Sequence, residues 1–219
     1  PPLFFFTHKT PHPILSGLVG SEMCIRDRAY TVAYPALAGK VITPSQLLGP
    51  FYPEKIPVEN DNDLTRVAGQ NRFALGDITH LIGRVLTPLG QPIAGAQIEI
   101  WQCDTFGHYN HPRDRGGRDL AFQGYGKTQS GDNGEYRFKT IKPSPYPGRT
   151  PHIHMRLVTK PAQLVTQIYV KGERLNKSDF ILKSIRDPEV RDSVIVPFVT
   201  KTKYPTNELV AEFNPVIAV

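Results

Sequence analysis

The stretch Tyr146-Pro147-Gly148-Arg149-Thr150-Pro151-His152-Ile153-His154 holds the densest group of residues able to do chemistry. Residues i and i+2 of a strand project to the same side, so His152 and His154 offer two imidazoles roughly 7 Å apart to one face. Pro151 favours the extended backbone this requires. A His-x-His pair alone is weak evidence for a metal, because two polar residues on a solvated face give the same pattern. Two phenols strengthen it: Tyr109, just past a strand-like run, and Tyr146, in the proline-rich turn ahead of the histidines. Ionising a tyrosine at neutral pH costs about 4 kcal/mol, which only a strong Lewis acid readily offsets. Anionic oxygen donors suit iron(III). A site of Tyr109, Tyr146, His152 and His154 is therefore expected to hold non-haem Fe(3+), and differs from zinc sites and from two-His-one-carboxylate Fe(II) sites.

A wider set of motifs carries a resemblance. Gly83-Arg84-Val85, Pro92-Ile93-Ala94-Gly95-Ala96, Glu99-Ile100-Trp101-Gln102, Gly107-His108-Tyr109, Ile141-Lys142-Pro143-Ser144-Pro145-Tyr146-Pro147 and Arg149-Thr150-Pro151-His152-Ile153-His154 resemble the intradiol ring-cleaving dioxygenases over roughly residues 43–200. The similarity is closest to the protocatechuate 3,4-dioxygenase type. The resemblance implies a β-sandwich that cleaves a small aromatic diol between its hydroxyls with O2, giving a cis,cis-muconate-type diacid. It makes Tyr109, Tyr146, His152 and His154 the four protein ligands. Tyr146 is then the ligand displaced by the diol, Arg149 stands beside the bound ring, and Gln167 matches a pocket glutamine. Only five residues separate Tyr146 from His152, fewer than in characterised relatives, so one wall of the pocket is expected to be short. The helical N-terminal dimerisation segment of the catechol 1,2-dioxygenase type is missing.

These side chains need a rigid frame. Residues number 219, enough for one sizeable core, and the 21 Pro and 18 Gly spread among short apolar runs favour an all-β fold. Seven strands are predicted: Thr79–Leu86, Ala96–Gln102, Glu135–Thr140, Ile153–Thr159, Leu164–Val170, Ser193–Val199 and Glu208–Phe213. They read as a β-sandwich with long active-site loops. Turns are predicted at Pro88–Pro92 and Gly131–Gly134, and a short helical turn at Pro188–Asp192. Residues from Thr43 to Pro53 read as an extended arm laid against the domain, and Glu54 to Gly76 as a loop. Alternation sends Ile98 and Ile100 one way and Gln97, Glu99 and Trp101 the other.

The catalytic domain is assigned to residues 43–219, with 1–42 unassigned. Val19 to Arg28 resembles a translated sequencing adapter, and the missing initiating Met fits a damaged 5′ end. The net charge of +6 is dispersed, which argues against a nucleic-acid partner. No apolar run reaches the roughly 18 residues of a membrane span, and no convincing signal peptide precedes the domain, so a cytoplasmic location is expected. Assembly into an oligomer stays open. Cys24 and Cys103 cannot build a disulfide framework. Among alternative site residues, His108 and His111 lie in a loop polar enough for a solvated role. Tyr125 is a further phenol, Tyr136 and Tyr169 read as packing residues, and Trp101 as core. His80 reads as a satisfied surface or half-buried residue, and Cys103 as buried and inert. The rival function is a non-catalytic prealbumin-like sandwich that binds, since Gly83-x-Val85, Gly90-x-Pro92 and Gly134-x-Tyr136-x-Phe138 recur in such modules.

Overall fold

The computed structural model describes residues 39–204 and 207–219. Most of the expectations for residues 1–42 therefore fall outside the described residues. Two sheets form the sandwich. The first has the order β4-β1-β9-β8, from β1 (Ile78–Arg84), β4 (Glu135–Ile141), β8 (Phe198–Thr200) and β9 (Leu209–Glu212). The second has the order β3-β2-β5-β6-β7, from β2 (Gln97–Trp101), β3 (Tyr125–Gln129), β5 (His152–Val158), β6 (Gln163–Val170) and β7 (Ile195–Val196). Two short helices follow β6: α1 (Phe180–Ser184) and α2 (Pro188–Asp192). Among the described residues, no helix is long and apolar enough to cross a membrane.

Alternation divides the second sheet into two chemically different faces. Ile98, Ile100, Ile153, Met155, Leu157 and Ile168 point inward and join Leu81, Phe138 and Ala211 of the first sheet in one continuous buried cluster. Burying each large apolar side chain is worth roughly 1.5–3 kcal/mol, so this cluster is what holds the sheets together. The intervening residues face outward: Glu99 and Trp101 of β2, His152, His154 and Arg156 of β5, and Val165, Gln167 and Tyr169 of β6. Register places Trp101 opposite His154, His154 opposite Gln167, and His152 opposite Tyr169. A second buried cluster, containing Trp101, Cys103, Tyr109 and Tyr125, forms on this outer face.

The arm covers that face. It lies extended and is fixed by Thr43 N–H donating to Val216 (3.0 Å) and Gln46 N–H donating to Val165 (2.8 Å). Gly49 then passes directly over His154, where an added Cβ would stand 3.1 Å from the imidazole Cε1.

The predicted turns and the helical turn at Pro188–Asp192 are present, the latter capped by Asp187. Among the described residues there are nine strands, where the sequence predicts seven runs. The strand Tyr125–Gln129 was missed because Gly126 interrupts its apolar pattern. Its glycine is required: a Cβ there would stand 2.5 Å from the Asp61 carbonyl oxygen and close against Leu64, which cross over the strand. The predicted strand Ser193–Val199 divides into β7 and β8, which belong to different sheets.

Candidate active site

Three donor atoms converge on the outer face. His152 Nε2 stands 3.2 Å from His154 Nε2 and 3.4 Å from Tyr109 Oη. His152 Nδ1 faces the Thr150 carbonyl at 2.6 Å. A carbonyl only accepts, so Nδ1 carries the proton and Nε2 presents its lone pair to the other two donors. The ring of Tyr146 closes the group, 5.6 Å from the Tyr109 ring and 5.5 Å from the His152 ring. Tyr109 and both histidines are buried, and Tyr146 is half-buried.

Each ligand candidate is held by different chemistry. The histidines sit on β5 by the i, i+2 rule. Tyr109 lies in the loop after β2, where Asp104 accepts the N–H groups of Phe106, His108 and Asp119, and Asp114 accepts the N–H of Tyr109 itself (2.8 Å). Phe51 of the arm stacks on the Tyr109 ring at 4.5 Å. Trp101 stacks on His154 at 4.7 Å and 10°.

Burial sets the protonation states. It pushes the His152 pKa down to about 4, with help from the Arg149 charge, and takes His154 well below the usual histidine range, helped by His152 and Arg149. Both imidazoles are neutral bases at physiological pH. Burial, above all, holds the Tyr109 phenol well above its usual value, and it raises Tyr146 too, although Arg149 pulls the latter down. The chain supplies too little positive charge of its own to make two phenolates.

The donor set fits a ferric ion. Two phenol oxygens and two neutral imidazoles are the donor types such an ion takes, and His152 Nε2 lies within 3.4 Å of both His154 Nε2 and Tyr109 Oη. His154 Nδ1 is buried without a hydrogen-bond partner. That pattern suits a ring held by stacking and by a bond at Nε2, rather than by a hydrogen-bond network.

Arg149 is buried, and each of its three guanidinium nitrogens donates one hydrogen bond. Its Nε donates to Asp179 (2.8 Å), Nη1 to the Tyr146 hydroxyl (3.3 Å) and Nη2 to Gln167 Oε1 (2.5 Å). Gln167 is in turn fixed by Gln46, whose Oε1 accepts its backbone N–H at 2.7 Å, and by the Leu47 carbonyl, which accepts from its Nε2 at 3.2 Å.

The family model described as Dioxygenase matches residues 47–218. The chain is 36% identical to the protocatechuate 3,4-dioxygenase beta chain of Burkholderia cepacia over 169 residues, covering 72% of this chain and 71% of that one. This chain belongs to the intradiol ring-cleaving dioxygenase family. It is also 30% identical to the catechol 1,2-dioxygenase of Candida albicans over 71% of its own length, and spans 54% of that protein. The dioxygenase domain of a dioxygenase and carbohydrate-binding fusion from Streptomyces sp. SirexAA-E superposes with a TM-score of 0.63 at 26% identity, covering 81% of this chain and 99% of that one. Relatives of this chain include a protocatechuate 3,4-dioxygenase beta chain, a catechol 1,2-dioxygenase and a hydroxyquinol 1,2-dioxygenase, and like them the chain is a ring-cleaving oxidoreductase.

Some expectations fail in detail. His111 is buried, with its ring edge-on to Phe51 at 5.8 Å, because the loop folds back under the arm. His80 is also buried, held between Glu208 and Arg137. Trp101 is buried, but against His154 and outside the inter-sheet core. Tyr169, expected to be a packing residue, also donates its hydroxyl to Gln167 Oε1 at 3.1 Å. Cys103 is buried as expected, its thiol pushed up to about 12 by burial. The residue missed altogether is Asp179, although Asp179-Phe180-Ile181-Leu182 carries the signature of a capped helix start.

Proposed function

We propose that this chain is an iron(III)-dependent intradiol dioxygenase, with Tyr109, Tyr146, His152 and His154 as protein ligands and a protocatechuate-like catechol as substrate. The approach of His154 Nε2 (3.2 Å) and Tyr109 Oη (3.4 Å) to His152 Nε2, with Tyr146 beside them, carries this reading. The similarity to a protocatechuate 3,4-dioxygenase beta chain supports the substrate. Residues 43–219 form the catalytic unit.

When bound, iron(III) supplies a Lewis-acidic centre that stabilises a deprotonated diol and opens it to reaction with dioxygen. The chain's own residues do the rest. Tyr109, buried and stacked under Phe51, stays in place. Tyr146 is half-buried in a turn between two prolines, so of the two phenols that would hold the iron its oxygen would be the one better placed to take a proton from a diol hydroxyl. Arg149 Nη1, which donates to that oxygen, would hold the Tyr146 phenol in place and stabilise negative charge on a bound diol. Phe51, Tyr52 and Trp101 exclude water from the histidine side.

Purified iron-loaded protein is expected to be burgundy to red-brown, from phenolate-to-Fe(III) charge transfer, and to consume oxygen with protocatechuate. A colourless protein that stays so after iron loading favours a binding module. Oxygen uptake across protocatechuate, catechol and hydroxyquinol tests the substrate, and a rate far higher with catechol or hydroxyquinol overturns the protocatechuate assignment.

A further inference from the structure

One buried carboxylate outside the ligand set holds two parts of the site at once. Asp179 is fully buried and spends both oxygens on four donors. Oδ1 accepts the N–H groups of Ile181 (3.1 Å) and Leu182 (3.0 Å), capping α1. Oδ2 accepts Arg149 Nε (2.8 Å) and the Thr150 N–H (3.0 Å). The Thr150 carbonyl is the acceptor for His152 Nδ1, so the residue whose N–H Asp179 grips also fixes, through its carbonyl, the tautomer of a ligand candidate. Asn176, just ahead of α1, accepts the Thr150 hydroxyl at 2.7 Å and donates to the Val170 carbonyl at 2.8 Å.

A guanidinium has five N–H donors in a fixed plane, so fixing one edge fixes the direction of the others. With Nε on Asp179, Nη1 is aimed at the Tyr146 hydroxyl and Nη2 at Gln167. We propose that Asp179 is a positioning residue, which orients Arg149 towards Tyr146 and the bound diol and locks the approach to His152. This rests on the catalytic reading above. The simpler alternative is that Asp179 only caps a five-residue helix.

Asp179→Asn separates the two roles. Asparagine caps a helix as well as aspartate does, so the Oδ1 contacts survive. Its amide nitrogen, however, faces two donors on the Arg149 side and can accept neither. The test is a double-mutant cycle on turnover with Asp179→Asn, Arg149→Met and the double variant, each iron-loaded and checked for its melting temperature. Asp179→Asn is expected to lower kcat by about 10- to 100-fold with KM within about threefold, the pattern of a lost transition-state interaction. In the Arg149→Met background the same change should lower kcat by less than about threefold, because the residue it acts through is gone. An equal loss in both backgrounds means that Asp179 supports only the fold, and overturns the inference.

A second measurement does not need turnover. In 15N-labelled full-length protein carrying gallium(III) in place of iron, the Arg149 Nε–H resonance, identified by its absence in Arg149→Met, should exchange with water at least about tenfold faster in Asp179→Asn. An unchanged exchange rate overturns the inference whatever the substrate proves to be. An inactive, colourless parent protein overturns the catalytic reading instead. If Asp179→Asn does not fold, Asp179→Ser, which keeps a cap oxygen and has no second branch, is measured in the same two ways.

Discussion

At the scale of single residues, the two tyrosines share a side-chain chemistry and differ in freedom. Tyr109 is buried, stacked under Phe51, and has its backbone N–H held by Asp114. Tyr146 is half-buried, and its hydroxyl meets a guanidinium instead of a packed ring. Tyr109→Phe is therefore expected to lose iron and most of the colour, while Tyr146→Phe keeps iron and slows proton removal from the diol. Metal content, visible spectra and anaerobic binding rates of the two variants distinguish them, and identical behaviour sinks the division of roles. The His-x-His pair was legible because strand alternation makes a two-residue spacing meaningful. Asp179 was not, because its partners Arg149 and Thr150 lie 30 and 29 residues away and only the packing of α1 brings them together. His111 was misread for a similar reason: a polar loop sequence does not reveal that the arm will lie over it.

At the scale of elements, the site is a layer between the outer face of the second sheet and an arm with no regular structure. The arm can approach this closely because Gly49 has φ +80°, a conformation that costs a residue with a Cβ about 1 kcal/mol or more, and has no Cβ to strike His154. Gly49→Ala should lower stability by about 1–2 kcal/mol and weaken iron retention, leaving the sandwich intact. Gly83→Ala makes the opposite test, since its Cβ would collide with the Phe213 carbonyl beside β1 and damage the first sheet. That variant should lose roughly 2 kcal/mol or more. Thermal melts with iron titrations compare them, and unaltered iron binding in Gly49→Ala argues that the arm is a passive cover. The sheet order itself was only partly readable. Alternation was clear in Ile98 and Ile100 of β2 and in His152 and His154 of β5, whereas β3 was hidden by Gly126, whose reason lies in the crossing of Asp61 and Leu64.

At the scale of the whole molecule, burying two neutral imidazoles ties stability to pH. His152 has a folded pKa of about 4, below the roughly 6.5 of an unfolded histidine, and His154 is shifted in the same direction. Between those values the unfolded chain binds a proton that the folded chain refuses, so stability falls as pH falls. The slope is at most about 1.4 kcal/mol per pH unit for each histidine. Asp179 adds a later loss. Burial opposes its charge, but the N–H groups of Leu182 and Thr150 and the Arg149 guanidinium outweigh that and hold its pKa below the usual range. Its contribution is complete above about pH 3.9 and disappears as pH drops through the lower folded value. Denaturation of the metal-free protein should therefore show a plateau between about pH 6.5 and 8 and a steady decline below it. A flat profile from pH 6.5 to 4.5 contradicts neutral, buried histidines.

The single tryptophan has a practical consequence for anyone who measures this protein optically. Trp101 is the only indole in the chain, and its ring lies flat on His154 on the outer face, away from the cluster that joins the two sheets. Its fluorescence therefore reports the layer that holds His152, His154 and Tyr109 and says little about the sandwich beneath. Ferric iron at His154 should quench the emission, giving an occupancy titration that needs no substrate and no mutation. By the same placement, an emission melt of the iron-free protein should precede the loss of far-ultraviolet circular dichroism if the arm lifts first. Coincident transitions would mean that arm, site and sandwich come apart as one cooperative unit.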